Sequence, residues 1–449
     1  MNYQEAMQFV RAADALGCTP GLSRVAELLD RLDNPQNKLR CIHIAGTNGK
    51  GSTAVMLAAV LQAAGYRTGL YTTPHLVSYR ERIRVDSGEI SEEDFCCAAE
   101  IVAHAAEGML ETPSEFERFT PMAFVHFLRK KCDIVVIETG MGGRLDATNV
   151  ISYPELNVIT HIALDHMEYL GDTIVQIAGE KAGIITPDTD VVLMKQSAEA
   201  EQVIRARCES LQGVRLHITE PEQMKVREHS LAGIRFDYRV RENLFVSMAG
   251  SYQQSNVMTA LDALDVLKRK GWKIPEEAVR EGLAGVHWPA RFEILCEHPL
   301  VLLDGAHNTD GMRALTDTLK ILLPDKKPVI VMGVLADKEY TEMLRMLLPL
   351  AGMLIAAEPD QIRALSAEKL AEAAEKCAAQ LRADYAVSEH AEEKADIPVL
   401  YGGPVCESLQ LACRKCPPDG VICIVGSLYQ AGVARKFFAG YDADDSAGE

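Results

Sequence analysis

"CIHIAGTNGKGSTAVMLAAVLQAAGY" (Cys41–Tyr66) decides the reading of this chain. It opens apolar, passes through a loop of small residues holding one lysine, and closes as an alanine-rich helix. A strand, a glycine loop and a helix in this order is the context a phosphate-binding loop requires. In "GTNGKGS" (Gly46–Ser52) the glycines let successive backbone N–H groups converge on phosphate oxygens. Asn48, Gly49, Lys50, Gly51 and Ser52 are the expected contacts. The helix N-terminus adds partial positive charge, and Lys50 can reach the terminal phosphates. A plain glycine turn in a βα unit would not need a lysine here. The spacing departs from the usual P-loop, because Gly46 and Gly49 enclose two residues rather than four. Gly51 also stands where a metal-binding Ser or Thr is expected, so a metal must find its hydroxyl elsewhere, at Ser52 or in "YTTPH" (Tyr71–His75). This departure speaks against ordinary GTPases, and no NKxD guanine signature occurs.

Outward from this stretch the pattern stays strand, loop, helix. "KCDIVVIETGMGG", "PELNVITHIALDH" and "DVVLMKQ" read as strands with polar or glycine-rich ends, and residues 1–40 as helices. Such alternation predicts α/β architecture, a mostly parallel sheet with ligands at the carboxyl ends of its strands. "SLAGIRFDYRVRENLFVSMAG" (Ser230–Gly250) alternates as an antiparallel hairpin would. A second series, "LVLLDGAHN", "PVIVMGVLADK", "GMLIAAEP" and "GVICIVGSLY", predicts a smaller Rossmann-like domain. With "HWPARFEIL" as the connection, the expected domains are 1–294 and 295–449.

The 449 residues suit two domains. A net charge of −18 argues against nonspecific nucleic-acid or anionic-membrane binding. No apolar run is long enough for a membrane span, and the N-terminus lacks the charge pattern of a signal peptide. Twelve cysteines without a secretion signal predict reduced thiols and a cytoplasmic protein. The CxxC at Cys413–Cys416 has no partner pair, so two thiols at a helix end are expected rather than zinc. The tail "YDADDSAGE" reads as frayed.

"HIAGTNGKGST", "YTTPHLVSYRERIRV", "ETGMGGRLDATNV", "LDHMEYLGDTIVQIAGEKAGI", "WPARFE", "LDGAHN" and "GSLY" occur in the order seen in folylpolyglutamate synthases. The chain resembles that family, which includes the bifunctional dihydrofolate synthases and belongs with the Mur ligases. The motifs run from residue 43 to 429. Only 45 residues precede Gly46, fewer than the nucleotide-sugar domain of Mur ligases proper, so the folate branch is expected.

The resemblance implies an ATP-dependent ligase in which a folate carboxylate is phosphorylated and the acyl phosphate captured by the amine of L-glutamate. It implies catalysis in a cleft between the domains, a monomer, and folate or dihydropteroate, L-glutamate and ATP as partners. It also implies that Thr73, Glu138 and His166 ligate Mg²⁺, two ions in all. Glu138 alone could be a capping glutamate after "DIVVIE", and His166 alone a satisfied core histidine. Lys181 in "GEKAGI" is implied as a further ligand. Its ammonium would be repelled by the ions, and carbamylation resolves this; the bland alternative is a surface lysine. Asn256, Arg291 and Asp304 correspond to ATP contacts, although Arg291 could be a linker ion pair and Asp304 a turn residue. His307 and Asn308 are weaker candidates in the same loop. Ser114, Glu115, Phe116 and Glu117, with Leu145, Asp146 and Ala147, match segments that contact the pterin-bearing substrate. Phe116 serves equally as a core residue. Ser427 and Tyr429 correspond to contacts for the incoming glutamate. A Mur-type ligase for another carboxylate, or a P-loop ATPase with a regulatory role, are the alternatives.

Overall fold

The computed structural model describes residues 1–12, 21–387 and 397–440. The expected first helix is present as Tyr3–Arg11, started by a reciprocal cap between Asn2 and Glu5. Its reading beyond residue 12 and that of the tail lie outside the described residues. Two compact units divide the chain. The first comprises Met1–Glu228, Ile234–Ser247 and Gln253–His287; the second comprises His229–Gly233, Met248–Tyr252 and the chain from Trp288.

In the first unit the strands are β1 (Cys41–Ala45), β2 (Thr68–Tyr71), β3 (Ile83–Val85), β4 (Gly88–Glu89), β5 (Ile134–Glu138), β6 (Leu156–Ile159), β7 (Asp190–Leu193) and β8 (Arg215–Ile218). They lie in the order β4-β3-β2-β5-β1-β6-β7-β8. From β2 to β8 all pairs are parallel, whereas β3 and β4 run antiparallel at one edge. Every residue of β1, β2, β5, β6 and β7 is buried. Strands covered on both faces have no solvent side to mark with polar residues, which is why β1, β5, β6 and β7 read as apolar runs; β2, with Thr68 and Gly69, did not. The strand order reverses at β1, with β5 on one side and β6 on the other. Ligands bind outside the carboxyl ends at such a point.

The helix Lys50–Ala63 leaves β1 and is apolar nearly all round. Its neighbour Glu276–Gly285 packs so close that a Cβ on Gly282 would lie 2.6 Å from the Val60 Cα. The expected hairpin is present as β10 (Gly233–Tyr238) and β11 (Arg241–Val246), with β9 (Met224–Ser230) extending it to the order β11-β10-β9.

The second unit holds β12 (Glu293–Glu297), β13 (Leu300–Leu303), β14 (Val329–Met332), β15 (Met353–Glu358), β16 (Val399–Pro404) and β17 (Val421–Val425), in the order β12-β13-β17-β14-β15-β16. Only β12 is antiparallel to its neighbour. Leu302, Ile330, Met332, Leu354, Cys423 and Val425 form its core with Leu315, Leu344 and Leu370 from covering helices. The expected boundary at 294 needs correction. It would cut β12, whose Glu293 already pairs with Leu303, and the division falls between His287 and Trp288. Half-exposed β12 lacks the apolar run that marked the other strands, so it read as a connection. Among the described residues no helix is long and apolar enough to cross a membrane.

Candidate active site

The loop after β1 is clamped to the segment after β6. The Thr47 and Asn48 N–H groups both donate to the His161 carbonyl, at 2.7 and 3.2 Å. The Thr47 hydroxyl donates to the Ala163 carbonyl at 2.9 Å, and Thr160 Oγ1 donates to the Asn48 carbonyl at 2.9 Å. Gly49 precedes the helix with φ +89°, a left-handed conformation that glycine adopts without strain. A Cβ there would lie 2.2 Å from Asn256 Oδ1, and one on Gly46 would lie 1.8 Å from Thr160 Oγ1. The loop therefore needs both glycines for close approach. Lys50, Gly51 and Ser52 form the first helical turn, whose N–H groups have no intrahelical acceptor in any α-helix. The cradle fits a phosphate. Asn256 belongs to the first unit and donates to Gln253 Oε1 at 2.8 Å; Gln253 donates to Ser52 Oγ at 3.4 Å.

Lys50 Nζ donates to the Gly46 and Thr47 carbonyls at 3.1 and 3.2 Å. Lys181 Nζ also donates to the Gly46 carbonyl, at 2.9 Å. Lys181 is 2% exposed, so it is no surface lysine. Burial first, and then the Lys50 charge, bring its pKa down to about 7.

Glu138 ends β5 beside Ile44 of β1, and is buried. Its Oε2 accepts the Thr73 N–H at 3.1 Å, so the loops after β2 and β5 bring these two residues together. A hydroxyl and a carboxylate are hard oxygen donors, and this pair fits Mg²⁺. His166 stands on the segment after β6, exposed and with φ +50°, at the start of the short helix Met167–Leu170. It is no core histidine. Among the described residues no group of three or more His, Cys, Asp or Glu could hold a metal. The expected set contains only two such residues, Glu138 and His166. Cys413 and Cys416 stand at the end of the helix Val405–Lys415, as two helix-end thiols.

Ser114 caps the helix Glu115–Arg129. Glu117 closes that cap, accepting the Ser114 N–H at 2.8 Å, and also accepts Arg24 Nε at 2.9 Å. Glu115 pairs with Arg82 at 3.2 Å and accepts the Tyr79 hydroxyl at 3.1 Å. These bonds anchor the helix end that presents Phe116. The Phe116 ring is only partly buried and lies 6.0 Å from the Tyr71 ring, stacked on it. A Cβ on Gly140 would come within 2.7 Å of Phe116 Cζ and 3.2 Å of Asp146 Oδ2. The glycine loop after β5 thus lies against one aromatic and one carboxylate. Asp146 Oδ2 accepts the Met141 N–H at 2.8 Å, and burial raises its pKa despite these bonds. Leu145 is half-buried and Ala147 buried beside it.

In the second unit Asp304 is buried after β13. It accepts the Tyr252 hydroxyl at 2.6 Å and the Phe292 and Ala306 N–H groups at 2.9 and 2.8 Å. Arg291 lies against the same loop: a Cβ on Gly305 would be 2.3 Å from its Nη1, which donates to the Ala290 carbonyl. Ala290 and Phe292, on either side, have φ +55° and +53°. Two non-glycine residues in this region cost free energy, and such strain gathers where a side chain must be aimed. Asn308 caps the helix Thr309–Leu322, and His307 Nδ1 lies 2.8 Å from the Gly305 carbonyl. The Gly426 N–H donates to the Ala306 carbonyl and so ties in Ser427, the buried cap of Leu428–Ala439, beside half-exposed Tyr429. Tyr252 and Thr160 escaped the sequence reading. Each contributes a hydroxyl placed by tertiary structure, for which no local pattern exists.

A phosphate-loop unit with a hard-oxygen pair beside it, followed along the chain by a second parallel α/β unit, is the domain arrangement of Mur ligases. Residues 44–264 match the Mur ligase middle domain, and residues 290–428 match the Mur ligase glutamate ligase domain. The dihydrofolate synthase/folylpolyglutamate synthase of Bacillus subtilis is 37% identical over 383 residues, 83% of this chain and 89% of that protein. A Mycobacterium tuberculosis folylpolyglutamate synthase, solved with ADP and AMPPCP, superposes with a TM-score of 0.84 at 32% identity, covering 98% of this chain and 100% of that one. An Escherichia coli relative solved with DHPP and ADP gives 0.83 at 28% identity, covering 98% of each chain. The chain belongs to the folylpolyglutamate synthase/dihydrofolate synthase family.

Proposed function

We propose that this protein is an ATP-dependent ligase that adds L-glutamate to folates through an acyl phosphate. The observation that carries it is one edge of one sheet. There the phosphate cradle of Gly46–Ser52, the oxygen pair Thr73–Glu138, and the Phe116–Asp146 pair all follow the carboxyl ends of β1, β2 and β5 or stand against the loops there.

A carboxylate resists attack by an amine, because its charge repels the nucleophile and oxide is a poor leaving group. Transfer of a phosphoryl group from ATP gives it a good one. Lys50 holds a cation within reach of the phosphoryl oxygens, and the N–H groups of Lys50, Gly51 and Ser52 fix the phosphates in place. Neither needs to reorganise as charge builds. Thr73 and Glu138, with His166 and a carbamylated Lys181, would hold two Mg²⁺ ions. Bound there, Mg²⁺ neutralises charge on the transferred group. Phe116 offers a face for the pterin ring, and Asp146 an acceptor for its amino edge. Arg291 and Asp304 are the second unit's nucleotide contacts, a cation for phosphate and an acceptor for hydroxyls. Attack by the glutamate amine on the acyl phosphate then forms the amide and expels phosphate, and no protein nucleophile is needed.

The test is phosphate release with ATP, a pterin substrate and L-glutamate, each omitted in turn, with mass spectrometry of the product. Dihydropteroate and tetrahydrofolate as parallel substrates separate the two activities of the family. Turnover that ignores glutamate would instead support a regulatory ATPase.

A further inference from the structure

Behind Asp146 lies a buried polar chain that the proposed chemistry does not use. His43, in the middle of β1, is fully buried, and its Nε2 is 2.8 Å from Thr148 Oγ1. Thr148, also fully buried, places Oγ1 2.6 Å and its N–H 3.0 Å from Asp146 Oδ1. Asp146 itself is 6% exposed.

The proton directions follow from the partners. Asp146 accepts backbone N–H groups at both oxygens, from Thr148 and from Met141. As a carboxylate it has no proton to give, so the single Thr148 hydroxyl proton points at Oδ1. Thr148 Oγ1 must then accept from His43, which places the ring proton on Nε2. Among the described residues Nδ1 has no hydrogen-bond partner, and it needs no proton. A neutral ring agrees with the low pKa of His43, brought to about 3 by burial. The chain therefore runs one way, from His43 through Thr148 to Asp146.

Burying three polar side chains costs free energy unless each is bonded, and a buried carboxylate without donors would take up a proton. Thr148 gives two donors to Oδ1. Oδ2 accepts the Met141 N–H, the Gly140 backbone also bonds the carboxylate, and Oδ2 faces Gly140 beside the Phe116 ring. An aminopyrimidine edge presents parallel N–H donors, and a carboxylate held in plane and unprotonated is its natural acceptor.

We infer that Thr148 and His43 form a buried relay that fixes Asp146 as the acceptor for the pterin-bearing substrate. Both are positioning residues for that substrate and touch neither nucleotide nor glutamate. This rests on the proposed placement of the pterin at Phe116 and Asp146.

Thr148→Val keeps the shape and removes the hydroxyl; Thr148→Ser keeps the hydroxyl. Steady-state kinetics on the full chain, varying dihydropteroate or tetrahydrofolate, ATP and glutamate in turn, separate the effects. For Thr148→Val the pterin-substrate KM is expected to rise about tenfold, the scale of one lost bond to a charged group. The kcat and the other two KM values should stay within about threefold, and Thr148→Ser should stay near wild type throughout. His43→Phe, which removes only the far donor, should move the same KM in the same direction by a smaller factor. It carries the test if Thr148→Val does not fold. An unchanged pterin KM in the valine variant, or equal rises in all three KM values, would overturn the relay. A wild-type enzyme that turns over without any pterin would overturn the functional reading instead.

Discussion

Lys50 and Lys181 donate to one carbonyl oxygen, that of Gly46, at 3.1 and 2.9 Å. Two cations on one acceptor repel, and Lys181 is the more buried. Burial and then the Lys50 charge lower its pKa to about 7 from the ordinary 10.5. The unfolded chain then holds the proton more tightly than the folded one. The penalty is complete below about pH 7 and disappears as pH rises toward 10.5, so this group makes stability climb with pH across that window. In CO₂-free buffer without metal or nucleotide, Lys181→Met should be more stable than wild type by roughly a few kcal/mol at pH 6. Chemical denaturation at several pH values should show the gap closing between pH 7 and 10.5. A gap independent of pH would mean that the amine is not depressed.

Lys50→Ala removes a preorganised cation from the developing phosphoryl charge. Turnover should fall at least about 100-fold, the range seen when one electrostatic donor is lost from an active site. The check is single-turnover phosphate release from the purified, folded variant. A near-normal rate would remove the loop from the mechanism.

Gly49→Ala meets two obstacles at once, φ +89° and Asn256 Oδ1 2.2 Å from the new Cβ. The left-handed conformation alone costs about 1–2 kcal/mol, and displacing Asn256 disturbs the cradle further. Calorimetric titration with ADP should show at least about tenfold weaker binding. Adding Asn256→Ala should leave the thermal midpoint closer to that of Asn256→Ala alone than Gly49→Ala is to wild type, because the collision is gone while the backbone strain stays. Equal drops in both backgrounds would assign the whole effect to strain.

The fold was legible where burial was two-sided. β1, β5, β6 and β7, and β13, β14, β15 and β17, announced themselves as apolar runs closed by small or polar residues. Short or half-exposed strands such as β3, β4, β8, β12 and β16 carry no comparable signal. The phosphate loop was legible because its chemistry is written within seven consecutive residues. Lys181 shows what was not: neither "GEKAGI" nor its helical setting says that the amine is buried on the Gly46 carbonyl, 135 positions earlier. Glu117 shows the converse, since a segment matched to substrate contacts places this carboxylate in a helix cap and against Arg24. Asp146 became intelligible only when its near neighbour Thr148 was seen bonded to His43, which lies 105 positions before Thr148 on β1.

A carbamate forms when a neutral amine adds CO₂ and releases a proton, so the reaction needs an uncharged Lys181. Its pKa near 7 leaves about half the amine neutral at physiological pH, where an ordinary lysine would be almost wholly charged. The product reverses the sign of the group, from a cation facing Lys50 to an anion attracted to it, with two oxygens suited to Mg²⁺. Below about pH 7 the protonated amine blocks the addition, so activity that needs the carbamate should fall there. Lys181→Arg keeps the cation and cannot carbamylate, so its turnover should fall at least about 100-fold, as for loss of an electrostatic group. ADP binding should be largely preserved in the folded variant, although the fixed buried cation lowers its stability. Enzyme depleted of CO₂ should recover activity with added bicarbonate, and carbon-labelled bicarbonate should give a carbamate resonance that Lys181→Arg lacks. Wild-type turnover by the arginine variant would show that Lys181 is a buried structural cation, held to the Gly46 carbonyl and nothing more.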